Sequence, residues 1–413
     1  FTFIGQSALP LQNKPSKQVY STLHGLVGRR DYLNPARGEP LLSIIVCAVH
    51  PDLSCDTTTQ VQNMTGVLTI LGPIDGSDLG ITLTHEHLYI GRDIAETPFY
   101  RPGEKGECSF NLENLGWIRQ NPYSHRLNLK FFGPDVIRAV TNDLKTFKAS
   151  GGGAIVENST VSLIRDIPIM KKMSQDSGVH IIAGTGFYEE ANHPESITRM
   201  KVEEIADFMR GELTQGATED AGVRCGVMGE LASIWPITDF EKRVIQASAV
   251  VQQELGAPVT FHPGRNPEAP FEIMRIFQES GGDPTKAVMS HLDRTILDTD
   301  QALEFAKIGC YCQYDLFGLE VSWYQLVHSI SMPSDAQRLD KIYALIDEKF
   351  TDKILLSQDV HTRHRLTEFG GHGFDHIIKY VLPKMRAVGH SEETIDMITK
   401  ENPRRWLSWN FDI

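Results

Sequence analysis

Short apolar runs of strand length alternate with longer amphipathic stretches from residue 67 onward. The first run, 67–71, is followed by the turn-like sequence 73–76 and then by the apolar run 81–83, which predicts a hairpin that leads into a strand. Further strands are predicted at the apolar runs 154–156, 179–183, 225–228, 258–261, 287–289, 310–314 and 354–356.

Amphipathic helices are predicted between most of these runs. Three of their apolar faces are Val136, Val140, Leu144 and Phe147; Phe240, Val244, Val251 and Leu255; and Phe374, Ile378, Val381 and Met385. Strands that alternate with helices pair in parallel, because each crossover needs a helix. The pattern therefore predicts an α/β fold, a closed (β/α)₈ barrel of the TIM type. An open doubly wound sheet is the alternative, but no Gly-x-Gly-x-x-Gly follows the first strand.

The first 62 residues differ from the rest because they lack a sustained hydrophobic period. Their prolines are Pro10, Pro15, Pro35, Pro40 and Pro51. We therefore expect an irregular or disordered N-terminal extension at 1–62 and one barrel domain at 63–413. A transit peptide is the alternative for the extension, but its acidic residues argue against this.

The net charge indicates which binding partners are compatible with the chain, and the cysteine content indicates its redox compartment. A net charge of −13 argues against nucleic acid, whose phosphates need Lys and Arg, but it allows a small anionic substrate. The 6 cysteines form no C-x-x-C pair, which is typical of a reducing compartment, and the apolar run 41–49 is too short to span a membrane. We expect a cytoplasmic protein with no membrane partner, either a monomer or a homodimer.

Ionisable residues stand at the ends of five predicted strands: His85 and His87, Glu230, His262, His291 and Asp359. In a parallel barrel these ends meet on one rim, where barrel enzymes have their active sites. Residues 85 and 87 are two apart on a strand and point to the same side. Any one of the histidines alone is more often a hydrogen-bonded structural group. Imidazoles and carboxylates converging on one place instead predict two divalent metals, Zn²⁺ first and Mn²⁺, Co²⁺ or Fe²⁺ as alternatives.

A second histidine-rich stretch follows the last strand and comprises His361, His364, His372 and His376. It is predicted to lie on a loop and at the start of a helix, away from the strand ends. We therefore expect these histidines to support the ligands rather than to bind metal.

Five short motifs resemble those of the phosphotriesterase-related proteins of the amidohydrolase superfamily. They are Thr-His-Glu-His at 84–87, Ile-Ile-Ala-Gly-Thr-Gly-Phe-Tyr at 181–188, His-Pro-Gly-Arg at 262–265, Ser-His-Leu-Asp-Arg-Thr at 290–295 and Glu-Asn-Pro at 401–403. The resemblance covers roughly residues 65–410. It implies a binuclear metal barrel with His85, His87 and Asp359 on one metal, His262 and His291 on the other, and a carboxylate that bridges both.

One difference from the bacterial phosphotriesterases indicates which branch of the family the chain resembles. Bacterial phosphotriesterases bridge their metals with a carboxylated lysine at the end of the fourth strand, where this chain has Glu230, as the related-protein branch does. The resemblance therefore implies the activity associated with vertebrate members of that branch, hydrolysis of N-acetyltaurine to acetate and taurine. It argues against efficient organophosphate hydrolysis.

Further residues are expected to act on such a substrate. Asp359 is the catalytic candidate, because it is placed to take a proton from the attacking water and pass it to the leaving nitrogen. Arg265 and Arg294 each lie three residues past a ligand histidine and are candidates for binding the substrate anion. Tyr188 and Asn158, at the ends of the third and second strands, are candidates for lining the pocket.

Three other functions remain open. The same site serves a lactonase or a phosphotriesterase, which needs less help at the leaving group. A non-catalytic metal-binding barrel is a second alternative, although the complete ligand set argues against it. A metal-free barrel enzyme that uses Glu230 and Asp359 as a carboxylate pair is the third.

Overall fold

The computed structural model of the chain describes residues 63–412, and the prediction of an N-terminal extension at 1–62 lies outside the described residues. The strands are β1 (Asn63–Thr69), β2 (Gly72–Ile74), β3 (Ile81–Glu86), β4 (Gly152–Glu157), β5 (His180–Thr185), β6 (Val227–Ala232), β7 (Val259–His262), β8 (Ala287–Met289), β9 (Tyr311–Tyr314), β10 (Ile354–Leu356) and β11 (Trp409–Asp412). Strands β3 to β9 each pair in parallel with the next strand along the chain, and β10 is the last strand of this sheet.

The sheet closes where β10 meets β3. The hydroxyl of Thr84 donates to the carbonyl of Leu356 at 3.3 Å, and the backbone N–H of Asp359 donates to the carbonyl of His85 at 3.1 Å. Sequential parallel pairing with closure makes a (β/α)₈ barrel, so the predicted fold class is confirmed.

Helices follow most of the strands. They are α1 (Leu112–Gln120), α2 (Pro134–Ala149), α3 (Ile167–Ser177), α4 (Glu195–Thr198), α5 (Val202–Thr214), α6 (Asp239–Leu255), α7 (Ala269–Glu279), α8 (Leu292–Thr295), α9 (Thr299–Ala306), α10 (Asp335–Asp347), α11 (Leu382–Ala387), α12 (Glu392–Asp396) and α13 (Asn402–Leu407). No helix within residues 63–412 is both long enough and apolar enough to cross a membrane.

Helix α6 shows how local sequence sets the ends of an element. The Thr238 hydroxyl accepts from the N–H of Glu241 at 3.2 Å, and the Glu241 carboxylate accepts from the N–H of Thr238 at 3.1 Å. This reciprocal pair satisfies two of the N–H groups that a helix start leaves without partners. The helix ends at Gly256, whose φ of 69° is in the left-handed region that glycine adopts at low cost.

The third predicted helix face is shifted by one residue. Ile377 is buried and Ile378 only partly so, because Ile377–Val381 forms a π-helical turn ahead of α11. Pro383 has no N–H to donate to the preceding turn, which favours the wider winding there. The faces predicted for α2 and α6 are buried as expected, apart from the half-buried Leu255.

The predicted turn at 73–76 is wrong in position, because the hairpin turns at residues 70–71 and Pro73 lies within β2, opposite Leu68. A proline is tolerated there because β2 is the edge strand of its sheet.

The small sheet at this end of the barrel has the strand order β11-β1-β2, so the last described strand pairs with the first. Side chains from β1 and α13 pack against the inward faces of the barrel strands, in a cluster of Val67, Leu79, Ala154, Val156, Ile182, Val227, Val288, Tyr311, Leu355, Trp406 and Leu407. The barrel interior is therefore apolar at the strand starts, and its polar groups lie at the opposite rim.

Candidate metal centre

The predicted ligand residues meet at the carboxyl ends of the barrel strands. Residue 85 lies in β3, residue 230 in β6 and residue 262 at the end of β7, while residues 87, 291 and 359 follow β3, β8 and β10. All of them are buried, the most exposed being Asp359 at 7%.

Two histidines lie on one side of the cluster. The Nε2 atom of His87 is 3.4 Å from a carboxylate oxygen of Glu230 and 3.3 Å from one of Asp359. The Nε2 atom of His85 is 3.4 Å from the other oxygen of Glu230 and 3.8 Å from Asp359. The Glu230 carboxylate therefore contacts both imidazoles, one with each oxygen.

The other two histidines both face one oxygen of Glu230, the oxygen that His85 also contacts. The Nδ1 atom of His262 is 2.8 Å from Glu230 Oε2, and the Nε2 atom of His291 is 3.6 Å from the same oxygen. The two imidazoles approach each other to 3.0 Å between His291 Nε2 and His262 Nδ1. Glu230 thus contacts all four imidazoles, three of them through Oε2 and His87 through Oε1.

Among the described residues, two groups bring their ligand atoms within 4.8 Å of one another: His85, His87 and Asp359, and His85, Glu230 and His291. The Nε2 atom of His85 is buried and has no hydrogen-bond partner among the described residues. Burying a lone pair without a partner is costly, and a cation among these carboxylates would satisfy it. The donor set of imidazole and carboxylate therefore fits a divalent transition metal.

His262 lies beside the second group and not in it. Its Nδ1 faces Glu230 and His291, whereas its Nε2 faces Arg294, whose Nη2 is 3.0 Å away. The assignment of His262 and His291 to one metal, which the family resemblance implies, stays a prediction.

The charges of the cluster suit a cation. Burial alone would raise the pKa of both carboxyl groups, but His262 and His85 hold the pKa of Glu230 well below its usual value. His361 and His87 do the same for the pKa of Asp359. Both carboxylates are therefore anionic at neutral pH, which is the form that binds metal.

An irregularity in the backbone of β6 directs the side chain of Glu230 into the site. The pairing of β6 with β7 shifts register between Met228 and Leu231, and Gly229 has a φ of 143°. A Cβ at Gly229 would lie 2.2 Å from the Cγ2 of Thr260, so only glycine fits this approach of the two strands. The peptide between Gly229 and Glu230 is cis.

Asp315 orients two of the histidines and was missed by the sequence analysis. Its oxygens lie 2.7 Å from the Nδ1 of His291 and 3.3 Å from the Nδ1 of His85, which leaves each Nε2 facing Glu230. Burial lowers the pKa of His291, but Asp315 outweighs this effect and raises it to about 10. Asp315 directly follows the predicted strand 310–314, so its position on the rim was a usable signal.

The outer nitrogens of the first histidine pair have partners as well. The Nδ1 of His87 is 2.9 Å from the hydroxyl of Ser159, and the Nδ1 of His85 is 3.1 Å from the hydroxyl of Ser290. Such contacts fix the ring orientation and direct each Nε2 toward the carboxylates.

Glu86 points away from the cluster and holds the loop that carries Asp359. Its carboxylate accepts hydrogen bonds from the backbone N–H groups of Gln358 and Val360, each at 2.8 Å. Asp359 itself has a φ of 51°, a strained conformation for a residue other than glycine. The clamp at Glu86 keeps Asp359 in this conformation, with its side chain in the site.

The cluster opens into a cavity of about 660 Å³, mouth included, lined by Arg265, Arg294 and Tyr188 among others. Asn158 is not among its lining residues. The side chain of Asn158 is fully buried and has no hydrogen-bond partner within residues 63–412, while its carbonyl accepts from the N–H of Glu230 at 3.1 Å. The carbonyl of Asn158 therefore supports the backbone of Glu230, and a place for its side chain in the pocket wall stays a prediction.

Arg265 is held between two aromatic rings. Its guanidinium carbon lies 5.5 Å from the ring centre of Phe99 and 5.7 Å from that of Tyr324, and its Nε donates to the Tyr324 hydroxyl at 2.9 Å. The carboxylate of Glu189 is 3.9 Å from its Nη1. Rings and hydroxyl fix the plane of the guanidinium at the cavity wall.

Within the second histidine-rich stretch, only His361 lines the cavity. Its Nδ1 is 3.2 Å from a carboxylate oxygen of Asp359, and its ring stacks on Tyr123 at 5.9 Å. The histidines of this stretch belong to neither of the two ligand groups found among the described residues. A supporting role for His361 agrees with the expectation, since it contacts Asp359 directly.

The model of the Phosphotriesterase family matches residues 65–407. An N-acetyltaurine hydrolase of Tetraodon nigroviridis is 46% identical over 355 residues, which cover 84% of this chain and 100% of that protein. A phosphotriesterase-related protein of Aedes aegypti is 46% identical over 356 residues, 83% of this chain and 99% of its own length. Among solved structures, a resiniferatoxin-binding protein of Rhodobacter sphaeroides has a TM-score of 0.77 at 27% identity, over 83% of this chain and 94% of its own.

Proposed function

Because the chain belongs to the phosphotriesterase family, we propose that it is a binuclear metal hydrolase that cleaves N-acetyltaurine to acetate and taurine. The observation that carries the proposal is the cluster around Glu230, in which one buried carboxylate contacts four imidazoles. The relatives named N-acetyltaurine hydrolase support the substrate.

The residues of this cluster would hold the metals: His85, His87 and Asp359 one of them, His262 and His291 the other, with Glu230 as a ligand to both. The donor set favours Zn²⁺, while Mn²⁺, Co²⁺ and Fe²⁺ accept the same ligands. Two such cations polarise an amide carbonyl and supply a nucleophilic water at neutral pH.

Asp359 moves the proton. It lines the cavity, and its pKa is held low, so its carboxylate is free to accept a proton from the attacking water. An amine leaves an amide only when protonated, and Asp359 delivers the proton to that nitrogen. His361, 3.2 Å from the carboxylate, keeps it oriented toward the cavity.

Arg265 binds the sulfonate of the substrate. An anionic end needs a cation in the same cavity, and the planar guanidinium of Arg265 is already fixed at the wall. Arg294 is the second cationic candidate, and Tyr188 lines the cavity next to His262, with ring centres 5.3 Å apart.

The proposal also covers the alternative activity of the site and the location of the enzyme in the cell. Lactonase or phosphotriesterase activity is the alternative on this site, and a glutamate where bacterial phosphotriesterases have a carboxylated lysine argues against it. We place the enzyme in the cytoplasm, supported by the free thiols of Cys108, Cys225, Cys310 and Cys312.

Metal reconstitution tests the proposal. The chain, stripped with a chelator and reloaded with Zn²⁺, is expected to hold two ions and to release acetate from N-acetyltaurine. The stripped protein is expected to be inactive, and lactones and phosphotriesters to be poor substrates. Elemental analysis that gives one ion or none after reloading, or a preference for lactones, would contradict it.

A further inference from the structure

The side-chain amide of Gln325 joins two segments of the cavity wall that lie far apart in sequence. Its Oε1 accepts from the backbone N–H of Tyr123, 202 residues away along the chain, at 2.9 Å, and its Nε2 donates to the hydroxyl of Ser124. The side chain is buried, with an exposure of 4%. Moving either segment would leave a buried polar atom without a partner, so this amide fixes the two segments against each other.

The segments that this amide joins each bring a tyrosine to the cavity. Tyr123 and Tyr324 both line it, and their rings pack edge to face with centres 6.0 Å apart. Tyr324 directly precedes Gln325, and its backbone is held in a tight turn: its N–H donates to the carbonyl of Ile330 at 2.7 Å, and its carbonyl accepts from the N–H of Val327 at 3.0 Å. The bonds of Gln325 therefore set where the two tyrosines stand relative to each other.

Each tyrosine hydroxyl contacts a different part of the site. The hydroxyl of Tyr324 accepts from the Nε of Arg265, the residue to which the sulfonate is assigned, at 2.9 Å. The hydroxyl of Tyr123 lies 3.2 Å from the Nε2 of His361, whose Nδ1 is 3.2 Å from the carboxylate of Asp359. One pair of rings thus reaches both the anion site and the group that orients the proton carrier.

We propose that Gln325 is a positioning residue, which holds Tyr123 and Tyr324 at a fixed separation and thereby serves anion binding and proton transfer together. The inference rests on the proposed function, which assigns the sulfonate to Arg265 and the proton transfer to Asp359. Gln325 needs no contact with the substrate for this role, because it acts through the two tyrosines.

Gln120 provides a matched control. Its Oε1 accepts from the backbone N–H and from the hydroxyl of Ser322, both at 3.1 Å, so it joins the same two segments at the exposed surface. Gln325→Leu and Gln120→Leu each remove a glutamine that links the segments. Of the two, only Gln325 holds the backbone of Tyr123.

Binding of propane-1-sulfonate, measured by calorimetry on the zinc-loaded chain, tests the anion side. Gln325→Leu and Tyr324→Phe are each expected to bind it about fivefold more weakly than wild type, because Arg265 loses the hydrogen bond that fixes its plane. Gln120→Leu is expected to bind it as wild type does. Wild-type affinity in Gln325→Leu, or an equal loss in Gln120→Leu, would overturn the inference.

Amide turnover relative to ester turnover tests the proton side. At equal metal content, the ratio of kcat for N-acetyltaurine to kcat for 4-nitrophenyl acetate is expected to fall about fivefold in Gln325→Leu and in Tyr123→Phe, because His361 loses a hydrogen bond that holds it against Asp359. Tyr324→Phe is expected to keep the wild-type ratio. A wild-type ratio in Gln325→Leu would overturn the inference.

The same measurements separate this inference from the proposed function. If wild type cleaved no N-acetyltaurine, or if Arg265→Gln bound propane-1-sulfonate as wild type does, the proposed function would fail. If Arg265→Gln lost the anion while Gln325→Leu kept it, only the inference would fail. Should Gln325→Leu not fold, Ser124→Ala removes only the partner of Nε2 and is expected to show smaller losses of both kinds, and wild-type values in it would overturn the inference.

Discussion

Single side chains decide whether the cavity holds metal, and Glu230 has the central position among them. Its two oxygens contact four imidazoles, and a neutral amide bridges cations poorly. Glu230→Gln is therefore expected to lose the bound metal and the hydrolysis of N-acetyltaurine together, measured by elemental analysis and acetate release.

Glu189→Gln is the matched control for this change. Burial raises the pKa of Glu189 to about 7, so an amide there replaces a group that is partly uncharged already. Glu189 belongs to neither ligand group within the described part of the chain. Two metals and full activity in Glu230→Gln would show that another group bridges.

The loss of turnover on replacing Asp359 is expected to be larger for substrates with poorer leaving groups. Asp359→Asn should reduce turnover of N-acetyltaurine by about 10²–10⁴-fold more than turnover of an activated ester such as 4-nitrophenyl acetate. Steady-state rates at equal metal content measure the ratio. Equal losses on both substrates would assign Asp359 to metal binding alone.

Arg265 is expected to recognise the negative charge of the substrate's sulfonate. Arg265→Gln should raise KM for N-acetyltaurine by about tenfold or more, because it removes a charged hydrogen bond, and should leave KM for neutral N-ethylacetamide nearly unchanged. Metal content should stay the same. A similar rise for both substrates would mean that Arg265, which packs between Phe99 and Tyr324, only supports the wall.

At the scale of elements, the ends of strands were predictable and their supports were not. Strand β8 at Ala287–Met289 and β10 at Ile354–Leu356 have the predicted bounds, because short apolar runs between polar turns define them locally. The residues that follow them, His291 and Asp359, could be placed on one rim for the same reason. Asp315 and Ser159 also follow strands of the barrel, but their contacts with His291 and His87 are made between neighbouring strands, and no local pattern encodes those contacts.

The segment after β5 contains a partly buried base that responds to pH. His193 packs against Phe187 and Phe240, with ring centres 5.5 Å and 5.4 Å away, and burial lowers its pKa to about 3. Between pH 6.5 and 3 the unfolded chain binds a proton at this ring and the folded chain does not. Wild type therefore loses stability as pH falls through this window.

His193→Leu is expected to remove this loss. Below pH 6.5 the free energy of unfolding of wild type should fall relative to the variant by at most about 1.4 kcal/mol per pH unit. Urea unfolding at pH 7.5 and 5.5 measures it, and above pH 6.5 the difference between the two proteins should not depend on pH. Parallel pH profiles below 6.5 would contradict the assignment.

For the molecule as a whole, we expect the proposed metal binding to be coupled to folding stability. The cluster buries carboxylates and imidazoles from five strands, so a cation bound to the folded state alone stabilises the whole barrel. Removal of metal with a chelator is expected to lower Tm, and the loss should be reversed by Zn²⁺. In Glu230→Gln the chelator should have much less effect, and an unchanged Tm in wild type would contradict the coupling.

The antiparallel pairing of β11 with β1 has a consequence for how the chain can be rewired. Asn63 and Asp412 are register partners, which places their Cα atoms about 5 Å apart. A few glycines therefore suffice to join these two positions, and new termini can be opened in a loop on the face away from the metals. In such a circular permutant the order of strands in sequence would change while their order around the barrel would not, and catalysis should persist.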